Sequence, residues 1–330
     1  MLSISYTFTS ADAVGLNGVV VSSKIDATSV GIDILKKGGN AIDAAVAVGF
    51  ALSVTHSGAG NIGGGGFLVL RLSDGTVTTL DFRETAPIES SYDMFLDDED
   101  NVISGLSWSS ILSSGVPGTV AGLGYIHEKY GLLSWEEVIY PSILLAKYGY
   151  SLDYRTVSLL NSKKYKNKLS FCAATKKIFT KEDDFGIGEN FIQKDLSNTL
   201  TRISKYGYKE FYFGETANLF IKTVNSFGGI ISYEDLNNYT PVEREPISFT
   251  YRDYRIYSMP PPSSGGITLA NILNQIENLD FNDIGYHSSQ HVHYLVESEK
   301  RAYADRALYL GDPDFVNIPV NYLISKEYAL

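Results

Sequence analysis

His56-Ser57-Gly58-Ala59-Gly60-Asn61-Ile62-Gly63-Gly64-Gly65-Gly66 is the stretch on which the reading of this chain turns. Six glycines in nine residues, Gly58 to Gly66, remove side chains where backbone must come close to something. Seventeen residues past Gly66 stands Arg83, in Asp81-Phe82-Arg83-Glu84-Thr85-Ala86-Pro87, at the end of an apolar strand. A planar guanidinium grips a carboxylate through two parallel hydrogen bonds, and its charge does not titrate. Together the two features suggest a site for a small molecule carrying a carboxylate. They contain no nucleophile. Residues Gly58 to Gly66 also serve as a tight, closely packed connection, and Arg83 as the surface partner of Asp81 or Glu84; spacing alone leaves both open.

The elements around the glycines decide one alternative. Gly58-Ala59-Gly60-Asn61-Ile62-Gly63 matches GxGxxG by letter, but a dinucleotide fingerprint needs a strand before it and a helix after it. Here the order is reversed. Asp26 to Lys37 reads as a helix with Asp26 as its N-cap, stopped by Gly38-Gly39. Asn40 then caps a second helix, Ala41 to about Val54, apolar almost all round and therefore buried. After the glycines come a buried-strand pattern, Phe67 to Leu72, a turn at Ser73-Asp74-Gly75, and a returning strand, Thr76 to Arg83. No Gly-Lys-Ser/Thr follows, so a phosphate-binding P-loop is excluded as well.

Farther along, helices are predicted from Gly118 to Lys129, Trp135 to Lys147 and Asp195 to Lys205, with a polar, exposed excursion from Lys163 to Lys181. Ser232 with Asp235 forms a capping signature, and Ile247–Tyr251 and Tyr254–Ser258 flank Arg252-Asp253 as a second hairpin. Ser263-Ser264-Gly265-Gly266 opens a helix from Ile267 to Asn278, as a plain cap or as a place for an anion. A long amphipathic helix runs from about Ser288 to Leu310, with Glu297 and Arg301 paired along it. Helix, hairpin, helices, hairpin, helices indicates layered α+β packing, and no linker breaks residues 1–330 into separate domains.

The 330 residues are 44% hydrophobic and 20% charged, an ordinary globular composition, and the net charge of −11 argues against a nucleic-acid partner. The acidic run Asp97-Asp98-Glu99-Asp100 reads as a solvated loop. Cys172 is the single cysteine, which rules out an intrachain disulfide and a cysteine zinc site. His287 and His291 lie one turn apart, but no third ligand stands at motif spacing, so neither metal nor cofactor is expected. No apolar run is long enough to span a bilayer, and Met1-Leu2-Ser3-Ile4-Ser5 shows no signal peptide. No Gly-x-Ser-x-Gly elbow is present.

Several blocks, in order, closely resemble the gamma-glutamyltranspeptidase family. They are Lys36 to Ala47, Gly60 to Phe67, Asp81 to Pro87, Gly115 to Gly122, Met259 to Gly266, and Ala302 to Arg306 followed by Tyr309 to Pro313. The resemblance runs from about Val19 onward. It implies an N-terminal nucleophile hydrolase, a four-layer αββα sandwich made from a precursor that cleaves itself into a large and a small subunit. The new N-terminal threonine of the small subunit would attack the gamma-glutamyl amide of glutathione, or of another gamma-glutamyl donor. Water, an amino acid or a dipeptide would then take the acyl group.

On this chain the resemblance puts the substrate-carboxylate arginine on Arg83 and the adjacent acid on Glu84. It implies a periplasmic or secreted enzyme. No Thr-Thr-His-type segment occurs before Leu330, so the expectation is most of a large subunit, without catalytic residues of its own and incomplete without its small-subunit partner. Related amidases that process capsule poly-gamma-glutamate or cephalosporins, and a non-catalytic binding protein, are the alternatives.

Overall fold

Asn40 begins the most deeply buried helix of the molecule, Ala41–Thr55. Its side chain accepts hydrogen bonds from the Ile42 and Asp43 amides, and the Asp43 carboxylate accepts one from the Asn40 amide, closing a capping box. The computed structural model describes residues 14–329; the amino-terminal pentapeptide and Leu330, both read above, lie outside them. The described residues form two compact units, 14–64 with 84–239, and 65–83 with 240–329.

In the first unit the helix Ala41–Thr55 packs against Ile25–Lys36, Thr119–Tyr130 and Trp135–Tyr148. Small residues set the distances. A methyl group on Gly31 would lie 2.7 Å from Val48, and one on Gly49 would lie 2.9 Å from Leu123. Phe50, fully buried, meets the Trp135 ring edge-on at 5.5 Å, and full burial of such a side chain contributes about 1.5–3 kcal/mol. Gln193 donates to the Val54 carbonyl, satisfying an acceptor at the end of the helix.

Asp43 holds this unit together beyond its own helix. It is wholly buried, and its carboxylate accepts the amides of Asn40, Leu132 and Leu133, with His127 Nε2 3.4 Å away. The start of one helix is thereby tied to the connection between Thr119–Tyr130 and Trp135–Tyr148.

Three expectations change here. Asp26 is not the N-cap of the first helix; Lys24 occupies that position, and Asp26 sits in the first turn, where a carboxylate faces the positive end of the helix. The excursion from Lys163 to Lys181 is exposed as expected, but it coils into Lys163–Leu169 and Ala173–Phe179, neither with a fully buried residue. In the second unit, strand β1 (Phe67–Arg71) is not buried. It pairs with β2 (Val77–Asp81) alone, and Phe67 and Val69 remain 36% and 46% exposed. An apolar run cannot by itself tell a strand covered on both faces from one with a face left bare.

The short pair β3 (Tyr150–Ser151) and β4 (Asn190–Phe191) belongs to the first unit. The second unit adds β5 (Val242–Arg244) to the free side of β2, and a separate hairpin of β6 (Ile247–Tyr251) and β7 (Tyr254–Ser258). Arg252 takes a φ of 52° in that hairpin turn, and its amide is held by the Glu277 carboxylate at 2.6 Å. Ile247, Phe249, Ile267, Ala270 and Leu323 form a core under the helix Gly265–Ile276, with the long helix Ser289–Tyr309 alongside. Among the described residues no helix is long and apolar enough to cross a membrane.

Asp43→Ala removes the buried acceptor of three partly buried amide hydrogen bonds and is expected to cost about 3 kcal/mol, read as a lower urea midpoint at unchanged slope.

A second effect depends on pH. Burial opposes ionisation of Asp153, but hydrogen bonds from Lys24 and Thr156 and the Lys24 charge outweigh it and hold the carboxyl at about 2, below the ordinary 3.8. A carboxyl lowered on folding stabilises above its unfolded value and loses that contribution as pH falls through the folded one. The urea-midpoint gap between the unaltered protein and Asp153→Asn is therefore expected in full above about pH 5 and to close towards about pH 2.

Candidate functional site

Arg83 closes the first segment of the second unit, two residues after the end of β2. The pairing does not stop with the strand. Phe82 and Gly66 exchange both backbone hydrogen bonds, at 3.0 and 3.2 Å, so the last glycine of the loop extends the ladder by one rung. A methyl group on Gly66 would lie 2.8 Å from the Phe82 ring, so a side chain here would push the rung apart.

The Arg83 amide donates to Asp81 Oδ1 at 3.1 Å, and the residue is exposed. The main chain is thus held at its amide. Asp81 engages the Arg83 backbone amide and is itself buried.

Glu84 resumes the first unit and is likewise exposed. Its side chain passes where two glycines leave room: a methyl group on Gly115 would lie 2.8 Å from Glu84 Cβ, and one on Gly64 would lie 3.4 Å from Glu84 Oε1. Thr85 and Val116 then bridge as an antiparallel pair. The Gly64 carbonyl accepts the amides of Gly118 and Thr119, at 2.8 and 2.9 Å. These are orphan donors at the start of the helix Thr119–Tyr130, so the glycine loop caps that helix with its own backbone.

Beside it the Tyr212 hydroxyl donates to the Pro117 carbonyl and accepts the Ala121 amide; burial raises its pKa, keeping it a neutral phenol. The loop therefore has a helix before it and a strand after it, the order that excludes a dinucleotide fingerprint.

The other candidates make local contacts of their own. Ser264 is the N-cap of Gly265–Ile276 but makes no side-chain cap; its hydroxyl accepts from Arg306 Nε at 3.1 Å. His291 Nδ1 accepts the His287 amide, so this nitrogen is used within the turn. Cys172 precedes the short helix Ala173–Phe179 and is half-buried.

Arg244 is the residue that sequence reading missed. It reaches Asp81 across 163 positions, a separation at which no local pattern reports contact.

The gamma-glutamyltranspeptidase family model matches residues 27–330. The glutathione hydrolase proenzyme of Escherichia coli (strain K12) is 47% identical over 314 residues, 94% of this chain and 54% of that protein. The glutathione hydrolase proenzyme of Pseudomonas sp. (strain A14) is 45% identical over 315 residues, 95% of this chain and 54% of that protein. The chain spans about half the length of these curated relatives. The crystal structure of Helicobacter pylori gamma-glutamyltranspeptidase superposes with a TM-score of 0.94 at 45% identity, covering 97% of this chain and 91% of that one. The fold is accordingly that of the N-terminal nucleophile hydrolases. With the family model matched over nearly its whole length and relatives this similar, the chain belongs to the gamma-glutamyltranspeptidase family.

Proposed function

We propose that this chain is the large-subunit portion of a gamma-glutamyltransferase or glutathione hydrolase, and that Arg83 holds the α-carboxylate of the gamma-glutamyl donor. The observation that carries the reading is Arg83 itself: an exposed arginine whose main chain is held by a buried carboxylate, in a chain of this family. Glu84, the adjacent acid, is proposed as a second contact to the same glutamyl group, on the side of its ammonium.

The chemistry follows from the nucleophile assigned to a small-subunit partner of the same precursor. The threonine's free α-amine takes the proton from its own hydroxyl, and the oxygen attacks the gamma-carbonyl carbon. The amide C–N bond breaks, and the amine leaves carrying a proton. The resulting ester is cleaved by water, giving glutamate, or by the amine of an amino acid or dipeptide, giving a new gamma-glutamyl amide. Arg83 contributes by holding the donor at one end so that its gamma-carbonyl meets the threonine, which turns an encounter into an oriented reaction. Export to the periplasm or beyond the cell belongs to this reading, as does the absence of any cofactor from the acyl transfer.

In the complete enzyme, Arg83→Ala is expected to lower kcat/KM for a gamma-glutamyl anilide by about 100-fold or more. Arg83→Lys should recover only part of the loss, because an ammonium cannot make the paired bonds of a guanidinium. Unchanged donor KM and turnover in Arg83→Ala would remove the assignment.

A further inference from the structure

Asp81 uses its two oxygens for different partners. Oδ1 accepts the Arg83 amide at 3.1 Å, and Oδ2 accepts Arg244 Nε at 2.9 Å. Arg244 ends β5, where it stands opposite Thr79 of β2, and the Thr79 hydroxyl donates to its carbonyl at 2.6 Å. The far side of the guanidinium is closed by Asp314, in the loop after Ser289–Tyr309. Nη1 donates to Asp314 Oδ1 at 3.0 Å and Nη2 to Oδ2 at 2.8 Å, a two-bond fork. Asp314 is anchored in turn, its amide donating to Asp312 Oδ1 at 3.0 Å.

One line of hydrogen bonds thus runs from the Arg83 main chain through Asp81 and Arg244 to Asp314, all within the second unit. Burial of the side chains deepens along it: Asp314 is 58% exposed, Arg244 15% and Asp81 9%. Asp314 and Arg244 line an open groove of about 680 Å³, together with Pro260 and Phe315. The fork from Asp314, opposed by burial and supported by Asp81, raises the Arg244 pKa further, so the cation is permanent.

A buried carboxylate left without its cation is costly and turns or takes up a proton. Asp81 therefore keeps its present direction only while Arg244 holds it.

We propose that Arg244 is a positioning residue for Arg83: clamped by Asp314, it fixes the Asp81 carboxylate that carries the Arg83 main chain, and so sets where the Arg83 guanidinium meets the donor carboxylate. The inference rests on the reading of Arg83 given above. Lysine cannot replace arginine here, because one ammonium cannot serve Asp81 and both oxygens of Asp314 in fixed directions. Asp314 is the outer, exposed member of the line, so removing its charge tests the clamp without opening the core.

The test is a double-mutant cycle in the complete enzyme, with kcat and KM measured for a gamma-glutamyl anilide. Arg244→Ala is expected to raise donor KM about tenfold and to change kcat by less than about threefold. Asp314→Asn is expected to raise KM about threefold, and Arg244→Lys to fall between the unaltered enzyme and Arg244→Ala. In an Arg83→Ala background, Arg244→Ala should add less than about twofold to the loss in kcat/KM, because the residue through which it acts is gone.

A full additional loss in that background would show that Arg244 acts elsewhere and would overturn the proposal. So would an unchanged KM in Arg244→Ala while Arg83→Ala is impaired, leaving the reading of Arg83 intact. An unimpaired Arg83→Ala would remove both. If Arg244→Ala does not fold, Asp314→Asn takes its place in the same cycle, with the same criterion of vanishing effect.

Discussion

The Asp81 carboxylate is the constraint from which the proposed site is built. It ends a strand, is buried, and must place two oxygens on two donors. One donor belongs to the neighbouring main chain, the other to a cation on the adjacent strand. That arrangement answers a general problem of carboxylate recognition. A guanidinium can offer two parallel bonds to a ligand only if its base does not wander, since a long exposed side chain loses much of its binding free energy to ordering. Fixing the backbone at Arg83 removes part of that cost before any ligand arrives.

The glycine loop serves the same end by a different route. It donates no side chain to chemistry and matches no nucleotide fingerprint in its setting. Its backbone carbonyl at Gly64 caps Thr119–Tyr130, its last residue extends the strand pairing to Phe82, and its missing side chains leave room for Glu84 and the Phe82 ring. Behind it, the helix Ala41–Thr55 is anchored at its start by Asp43 and at its end by Gln193.

Much of this was legible in the sequence wherever the determinant is local. Asn40 was read as the cap of its helix and Ser232 with Asp235 as a capping signature, and both form, Asn40 within a box with Asp43. The hairpin about Arg252-Asp253 has the boundaries its alternation implies. Where an interaction joins distant segments, sequence pattern is silent. Arg244 lies 163 residues from Asp81 and 70 from Asp314, and nothing in Val242-Glu243-Arg244 sets that arginine apart from a surface charge. Asp26 was read as a cap because residue type favours it, whereas the backbone turns two residues earlier at Lys24. The apolar run of β1 concealed a bare face, because hydrophobicity reports what a segment tolerates and not what covers it. Family resemblance supplied the proposed role of Arg83; the structure supplies the means by which its main chain is held.

The central claim is that the Arg83 guanidinium recognises an α-carboxylate, and the most direct measurement varies that group on the ligand. The complete enzyme and its Arg83→Ala variant are assayed with a gamma-glutamyl anilide and with the 4-aminobutyryl anilide, which differs only in lacking the α-carboxylate. The account predicts that the unaltered enzyme prefers the carboxylate-bearing donor strongly, by about 100-fold or more in kcat/KM, and that this preference collapses in Arg83→Ala. A preference that survives the loss of Arg83 in full would contradict it.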